Sequence, residues 1–239
     1  MAGATDRAAR LARARDYPYA YPGGSYTWCR GRVAPFDPAE TAGLTPVLAL
    51  GSNRSPGQLQ RKFGDRALIP VEAGRLDGFD IVYSAHITGY GAVPATLATS
   101  PGTTVGLAVT WLGEAELEAM HATELGNENY LYALLEDVAL TLDGGARLDA
   151  IHLYISRRGL LTHDGGPVAL AAVAAEGRRH GAMTTGEVLE AVRARVAPGH
   201  DPDAFVLHVA GDTDYRREVS TALAQDAAAF EHPVETIKI

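Results

Sequence analysis

A short apolar segment that stops at a small polar loop constrains this chain more than any other feature. Pro46-Val47-Leu48-Ala49-Leu50 contains no polar residue, and Gly51-Ser52-Asn53 ends it abruptly. A strand that is apolar at every position, rather than at alternate ones, is typical of a sheet covered on both faces. We therefore expect a layered fold built around a strand at residues 46–50.

The remaining pattern is rich in strands up to residue 156 and helical after residue 166. The segments predicted as extended are 67–76, 79–84, 95–97, 104–111, 130–142 and 150–156, with turns at 100–102 and 143–145. The segments predicted as helical are 58–63, 114–120, 168–176, 185–196 with an N-cap at Thr184 or Thr185, and 214–230. Residues 203–209 fit a strand or a helix. This order predicts an α+β fold.

The N-terminal 45 residues are predicted as an extension of a domain that spans residues 46–239, with a core at 46–156 and a helical part at 166–239. Arginines three apart at positions 7, 10 and 13 fit a short exposed helix or a frayed terminus, of which we favour the second. Residues 16–28 combine prolines and glycines with five aromatic rings, which predicts an ordered strap across the domain surface. Stacking of these rings on a cofactor is the alternative.

Composition narrows the class of ligand. The chain has 239 residues, 46% of them apolar, and a net charge of −8, which argues against binding along nucleic acid. It contains no apolar run of about 18 residues, so we expect no membrane span. Cys29 is the only cysteine, which excludes an internal disulfide and favours a reducing, cytoplasmic location. Frequent alanine and arginine suggest a bacterial source. A small-molecule ligand is the expected partner.

Two polar features are candidates for chemistry. Successive N–H groups at Gly51-Ser52-Asn53 could hold a carboxylate or an oxyanion, although a glycine after a strand is often only a turn. Glu124 follows a predicted helix and could lie over the sheet edge, or it could be a solvated acid near a helix end. Glu128 is a nearby rival. Ser52 and Cys29 have no evident base beside them in sequence.

Metal and nucleotide sites lack their usual signatures. The eight histidines are scattered, without the i, i+4 spacing of a zinc helix, and no phosphate-binding glycine motif is present. We therefore expect neither a metal nor a nucleotide.

Several segments, taken together, resemble the γ-glutamylcyclotransferase family, which extends to AIG2-like proteins. Val47 to Asn53 is similar to the family's first strand and its Tyr-Gly-Ser-Asn loop, and Met120-His121-Ala122-Thr123-Glu124 falls where the family has Leu-Asp-x-x-Glu. The other matching segments are 73–79, 95–102 and 105–109, in the family's order and spacing, with Tyr130 close behind Glu124.

This resemblance implies a small mixed-sheet barrel surrounded by helices, and a cyclotransferase that releases 5-oxoproline from a γ-glutamyl amide such as a γ-glutamyl amine or glutathione. Glu124 would be the catalytic proton shuttle, and no cofactor would be required. The residues implied for substrate binding are Leu48, Ala49, Leu50, Gly51, Ser52, Asn53 and Tyr154. Tyr154 fits a core position equally well.

Three departures from the family pattern bear on the substrate. Leu50 replaces the usual tyrosine, His121 stands where aspartate is common and adds a group that titrates near neutrality, and segment 166–169 lacks the family's aromatic residue. A binding module without turnover, or an amide hydrolase or acyl transferase that uses the same pocket, are the alternative functions.

Overall fold

The structure, a computed structural model, describes residues 2–126 and 128–239 and the side chains from Thr5 onward. Its α-helices are α1 (Ala2–Arg15), α2 (Pro56–Phe63), α3 (Glu114–Glu124), α4 (Thr185–Val196), α5 (Pro202–Gly211) and α6 (Thr213–Ala224). Short 3-10 turns cover Pro38–Thr41 and Ser52–Arg54. Across the described ranges, no helix is both long enough and apolar enough to cross a bilayer.

Among the described residues, most strands belong to one mixed sheet of 13 strands, and β10 and β11 pair separately. The strands are β1 (Tyr26–Cys29), β2 (Arg32–Pro35), β3 (Thr45–Ala49), β4 (Leu68–Tyr83), β5 (Ala95–Leu112), β6 (Tyr130–Leu135), β7 (Ala139–Leu142), β8 (Arg147–Leu148), β9 (Ile151–Ser156), β10 (Thr162–His163), β11 (Gly166–Pro167), β12 (Ala169–Leu170), β13 (Ala175–Glu176), β14 (Ala182–Met183) and β15 (Glu235–Thr236).

The predicted α+β class is confirmed, but the predicted barrel is not. The main path of the sheet runs β14-β12-β4-β5-β3-β9-β6-β15. Strands β3 and β9 are parallel, as are β12 and β14, and the other neighbours on this path are antiparallel. Within the described residues, the two-residue end strands β14 and β15 do not pair with each other, so the sheet stays open.

Both faces of β3 are covered, as its apolar composition predicts. Val47 and Ala49 belong to one buried cluster, whereas Leu48 and Leu50 belong to a second one. Since successive side chains of a strand point to opposite faces, each face of β3 contributes to a different part of the core. The loop after β3 therefore leaves the sheet from a rigid, fully packed position.

Strands β4 and β5 are longer and less interrupted than predicted. Residues 100–102, predicted as a turn, fall inside β5 but bulge out of its ladder with β4: Asp77 pairs with Thr104 and Phe79 with Thr99, so residues 100–103 lie opposite Gly78 alone. Gly78 has a φ of 83°, which favours glycine. Such a bulge takes up extra residues without ending the ladder. The segment predicted as one strand at 130–142 is instead divided into β6 and β7.

Two helix predictions near the C-terminus need correction and one is confirmed. Residues 168–176 form short strands rather than a helix, because Ala169 pairs with Val82 and with Ala182. The last long helix ends at Ala224, before the predicted limit. Helix α4 begins as predicted, with Thr184 and Glu187 forming a capping box.

The N-terminal residues form helix α1, so the favoured expectation of a frayed terminus is wrong. Leu11 and Ala14 of this helix are buried, and Arg7 and Arg15 both form ion pairs with Asp203 of α5. A helix docked in this way is ordered by tertiary contacts that its own sequence does not reveal. Strand β1, within the aromatic segment, pairs with β4. The division into an extension and a domain remains a prediction.

Candidate active site

The loop after β3 is held by a tyrosine from the N-terminal segment. Tyr17 is buried, and its hydroxyl accepts a hydrogen bond of 2.7 Å from the Ala95 backbone N–H. This hydroxyl lies so near Gly51 that a Cβ atom at position 51 would overlap it. Glycine is therefore needed at position 51 for close approach by another side chain. Tyr17 fixes the loop from one side, which the aromatic composition of the strap alone did not indicate.

Glu124 is the last residue of α3, and its carboxylate is held by two side chains. Oε1 accepts a 3.1 Å hydrogen bond from Asn53 Nδ2 and forms a short ion pair with Lys62 Nζ. The Lys62 and Glu124 side chains are only 6% and 17% exposed. Both contacts are made to Oε1, and Oε2 has no hydrogen-bond partner among the described residues. The second oxygen therefore remains available for proton transfer.

Asn53 has a buried amide that is only half satisfied. Its Nδ2 is the atom that donates to Glu124, as a carboxylate partner requires, while Oδ1 is buried without a partner in the described structure. An unsatisfied buried acceptor costs free energy. Asn53 thus contributes to the arrangement of Glu124 at some expense of stability.

A cavity of about 380 Å³ brings most of the candidate residues together. Its wall includes Glu124 and, from the sequence-based set, Leu48, Leu50, Gly51, Ser52, Asn53 and Tyr154. Ala49 is fully buried in the cluster on the other face of β3 and does not line this cavity. Glu128 is exposed and lies outside it. The cavity has the size of a small-molecule site.

The charge of the cavity wall favours an anionic ligand. Arg13, Arg61 and Lys62 line it together with the single carboxylate of Glu124. The Arg13 guanidinium lies over the ring of Tyr90, 5.0 Å from its centroid, and Arg61 lies 5.3 Å from the ring centroid of Tyr19. These aromatic contacts hold the two cations without neutralising them.

Three tyrosine hydroxyls add uncharged hydrogen-bonding groups to this wall. Burial is the main cause that raises the pKa of Tyr17, Tyr90 and Tyr130, so all three remain protonated at neutral pH. Tyr130 donates to the Ala95 carbonyl over 3.2 Å. The wall therefore offers cations and neutral polar groups around one carboxylate.

Ser84 and His86 form a contact that resembles a nucleophile and its base. The Ser84 Oγ and His86 Nδ1 atoms are 2.7 Å apart, and His86 lines the cavity. Burial, with a smaller effect of the Arg158 charge, lowers the His86 pKa to about 3. Ser84 is fully buried and also contacts Ser156 Oγ at 2.7 Å. A base this weak beside a buried hydroxyl does not suit nucleophilic catalysis.

Tyr154 lies partly at the cavity and partly in an aromatic cluster. Its hydroxyl is 2.8 Å from Nδ1 of His121, and both rings contact Tyr132. The pKa of His121 is lowered, first by burial and then by His152. The Tyr154 pKa is raised, mainly by burial.

The cavity residues that sequence reasoning missed come from distant parts of the chain. Lys62, Arg13, Arg61 and His86 had no motif that linked them to Glu124. Residues three apart on a helix lie on the same face, so the helical pattern at 58–63 places Lys62 on the face of buried Leu59. This is the only local signal that Lys62 points toward the interior. Within the described ranges, no group of three or more acidic, histidine or cysteine side chains could hold a metal.

No protein-family model and no curated protein sequence matches this chain. Its structure is similar to that of a γ-glutamyl cyclotransferase, with 12% identity, a TM-score of 0.38, and coverage of 81% of this chain and 94% of the other. It is also similar to an uncharacterized protein from Homo sapiens, with 11% identity, a TM-score of 0.39, and coverage of 81% of this chain and 94% of the other. The solution structure of a protein from Arabidopsis thaliana has 19% identity and a TM-score of 0.39, with coverage of 51% of this chain and 74% of the other. Likeness of this degree carries no inference about chemistry.

Proposed function

We propose that this protein is a γ-glutamyl cyclotransferase, which converts a small γ-glutamyl amide into 5-oxoproline and a free amine. The observation that carries the proposal is the position of Glu124: its carboxylate lies in the wall of a small cavity, joined to the strand-end loop through Asn53. Ser52 and Gly51 of that loop line the same cavity. A glutamyl group bound between Glu124 and this loop would contact both of them.

Charge complementarity supports a glutamyl substrate. A γ-glutamyl amide carries an α-carboxylate, which suits the excess of cations supplied by Arg13, Arg61 and Lys62. It also carries an α-ammonium, for which Glu124 is the only acidic partner among the described cavity residues. Both charged groups of the substrate therefore have an oppositely charged counterpart.

The reaction requires two proton movements. The substrate nitrogen begins as an ammonium with three protons and ends as a lactam N–H with one, so it must lose two. The departing amide nitrogen gains two and leaves as an ammonium. Oε2 of Glu124, free of other partners, carries the two protons one after the other from the attacking nitrogen to the leaving nitrogen.

Bond changes follow from the geometry of the substrate itself. The α-nitrogen attacks the γ-carbonyl carbon through a five-membered ring, the new C–N bond forms, and the old amide C–N bond breaks. Proximity is already built into the substrate. Backbone N–H groups of Gly51-Ser52-Asn53 are the candidates to stabilise negative charge on the carbonyl oxygen or to hold the α-carboxylate. Neither water nor a cofactor enters this balance.

The ion pair between Lys62 and Glu124 is the observation that favours a second function. A carboxylate already paired with a buried ammonium suits a binding module that holds a small acid without turnover. The same pair also fixes the orientation of Glu124 for catalysis. The two functions differ in whether the carboxylate is needed for turnover or only for binding.

Substitution Glu124→Gln distinguishes these functions. It preserves shape and hydrogen bonding but removes the base, so we expect kcat to fall by about 100-fold or more while substrate still binds. The assay incubates a panel of γ-glutamyl amides, including glutathione, and measures 5-oxoproline and the released amine by mass spectrometry. Glu128→Gln is the matched control, because Glu128 is exposed outside the cavity.

Two results would remove Glu124 from the mechanism: an unchanged rate in Glu124→Gln, or an equal loss in Glu128→Gln. Binding of the amides to the parent chain without 5-oxoproline release would favour the binding module. A cytoplasmic site of action belongs to the same proposal, with support from the single cysteine, Cys29.

A further inference from the structure

A second cavity, of about 220 Å³, shares no lining residue with the first. It lies between segment 21–26 and strands β4 and β5, and Arg54, the residue after Asn53, contributes to its wall. Nothing in the proposed cyclotransferase mechanism uses this cavity.

Arg54 is a buried cation without an anionic partner. Its side chain belongs to a residue that is 2% exposed, and its Nε and Nη2 atoms have no hydrogen-bond partner. It forms no ion pair with any residue that the structure describes. The ring of Tyr21 covers the guanidinium at 4.0 Å, and burial lowers the Arg54 pKa. A buried, unpaired charge is strongly destabilising unless a partner binds it.

Nε and Nη2 are also the two atoms with which another arginine of this protein, Arg178, binds a carboxylate. Arg178 donates from Nε to Oδ2 of Asp80 over 2.9 Å and from Nη2 to Oδ1 over 3.0 Å. Two parallel donors of this kind match the two oxygens of one carboxylate. Arg54 has the same two donors without a protein partner; both atoms are buried, and the residue borders the cavity.

The other walls of the cavity restrict the size and charge of a ligand. Ala73, Gly74, Gly106 and Ala108 line it with small, uncharged groups from the two long strands. Asp143 is exposed and is the only acidic residue in the described wall. One cation faced by one acid at the rim suits a ligand with a single negative charge better than a doubly charged phosphate.

We propose that this cavity binds a small monocarboxylate, whose carboxylate pairs with the charge of the Arg54 guanidinium and whose apolar body lies against β4 and β5. The inference stands independently of cyclotransferase activity. The ligand pairs the Arg54 charge and leaves the first cavity unoccupied.

The test titrates butyrate into the full chain while NMR follows the Arg54 Nε–H resonance. Butyrate should shift this resonance in a saturable way, whereas butyramide, with the same carbon chain but no charge, should not. No response to butyrate, or an equal response to butyramide, contradicts the proposal. A phosphate response as strong as that of butyrate would overturn the assignment to a monocarboxylate.

Two variants separate this cavity from the first one. Arg54→Met should weaken butyrate binding by about tenfold or more, because the positive charge that pairs with the carboxylate is lost. Arg61→Met removes a cation of the first cavity and should leave butyrate binding unchanged. Weaker butyrate binding in Arg61→Met together with unchanged binding in Arg54→Met would assign butyrate to the first cavity and overturn the proposal. The titration of the parent chain decides the question if Arg54→Met does not fold.

Discussion

Asn53 donates a hydrogen bond of 3.1 Å from Nδ2 to Oε1 of Glu124, which joins the loop after β3 to the end of α3. The two residues are 71 positions apart in the chain. Lys62 reaches the same oxygen from α2. A loop, a helix end and a second helix thus meet at one carboxylate oxygen and orient the other.

Loss of the Asn53 amide should reduce turnover more than substrate binding. Asn53→Ala removes one of the two groups that orient Glu124, so we expect kcat to fall about tenfold with a smaller change in KM. Asn129→Ala is the matched control, because Asn129 hydrogen-bonds Arg158 instead. Steady-state kinetics of 5-oxoproline release measure both constants. Equal kcat values for Asn53→Ala and the parent chain would show that Asn53 does not position the carboxylate.

Gly51 and Tyr17 should be energetically coupled. A Cβ at position 51 overlaps the Tyr17 hydroxyl, so Gly51→Ala should destabilise the fold by about 1–3 kcal/mol through overpacking. Tyr17→Phe should also destabilise it, because the buried Ala95 N–H loses its acceptor. In the double variant the overlap is reduced, and the combined loss should be smaller than the sum. Urea denaturation of the four chains measures this; simple additivity would contradict the close approach.

The buried pair of Arg178 and Asp80 should matter far more than an exposed one. Asp80 is fully buried, so Arg178→Ala leaves an unpaired carboxylate and should cost about 3–5 kcal/mol of unfolding free energy. Arg75→Ala is the control: its partner Glu176 is 74% exposed, and the expected cost is at most about 1 kcal/mol. Chemical denaturation compares the two variants. Similar losses for both would contradict the assigned difference in burial.

Buried His86 should make the protein less stable in acid. Burial lowers its pKa from 6.5 to about 3, so between these values the unfolded chain binds the proton more readily than the folded one. The free energy of unfolding should therefore fall as the pH decreases from 6.5 toward 3. His86→Gln should flatten this dependence, and His163→Gln, at an exposed position, should not. Urea midpoints across that pH range provide the measurement; identical slopes for His86→Gln and the parent chain would exclude His86 as the cause.

Local patterns predicted much of the fold because they depend on neighbours in sequence. The unbroken apolar run of residues 46–50 indicated a strand covered on both faces, and the expected N-cap at Thr184 or Thr185 marked the start of α4. The predictions failed where tertiary contacts override local preference. Helix α1 depends on contacts with Asp203, and residues 168–176 became strands because β4 and β14 were available for pairing.

The sequence by itself determined an α+β chain with a covered strand, a glycine-bearing loop after it, and a glutamate at the end of a helix. The tertiary structure decided that this loop and this glutamate line one cavity, that Lys62 pairs with the glutamate, and that Ala49 faces away. It also placed Arg54 in a second cavity with two unpartnered donors. The physical reason is range: periodicity and capping act over a few residues, whereas ion pairs and cavities depend on which distant surfaces pack together.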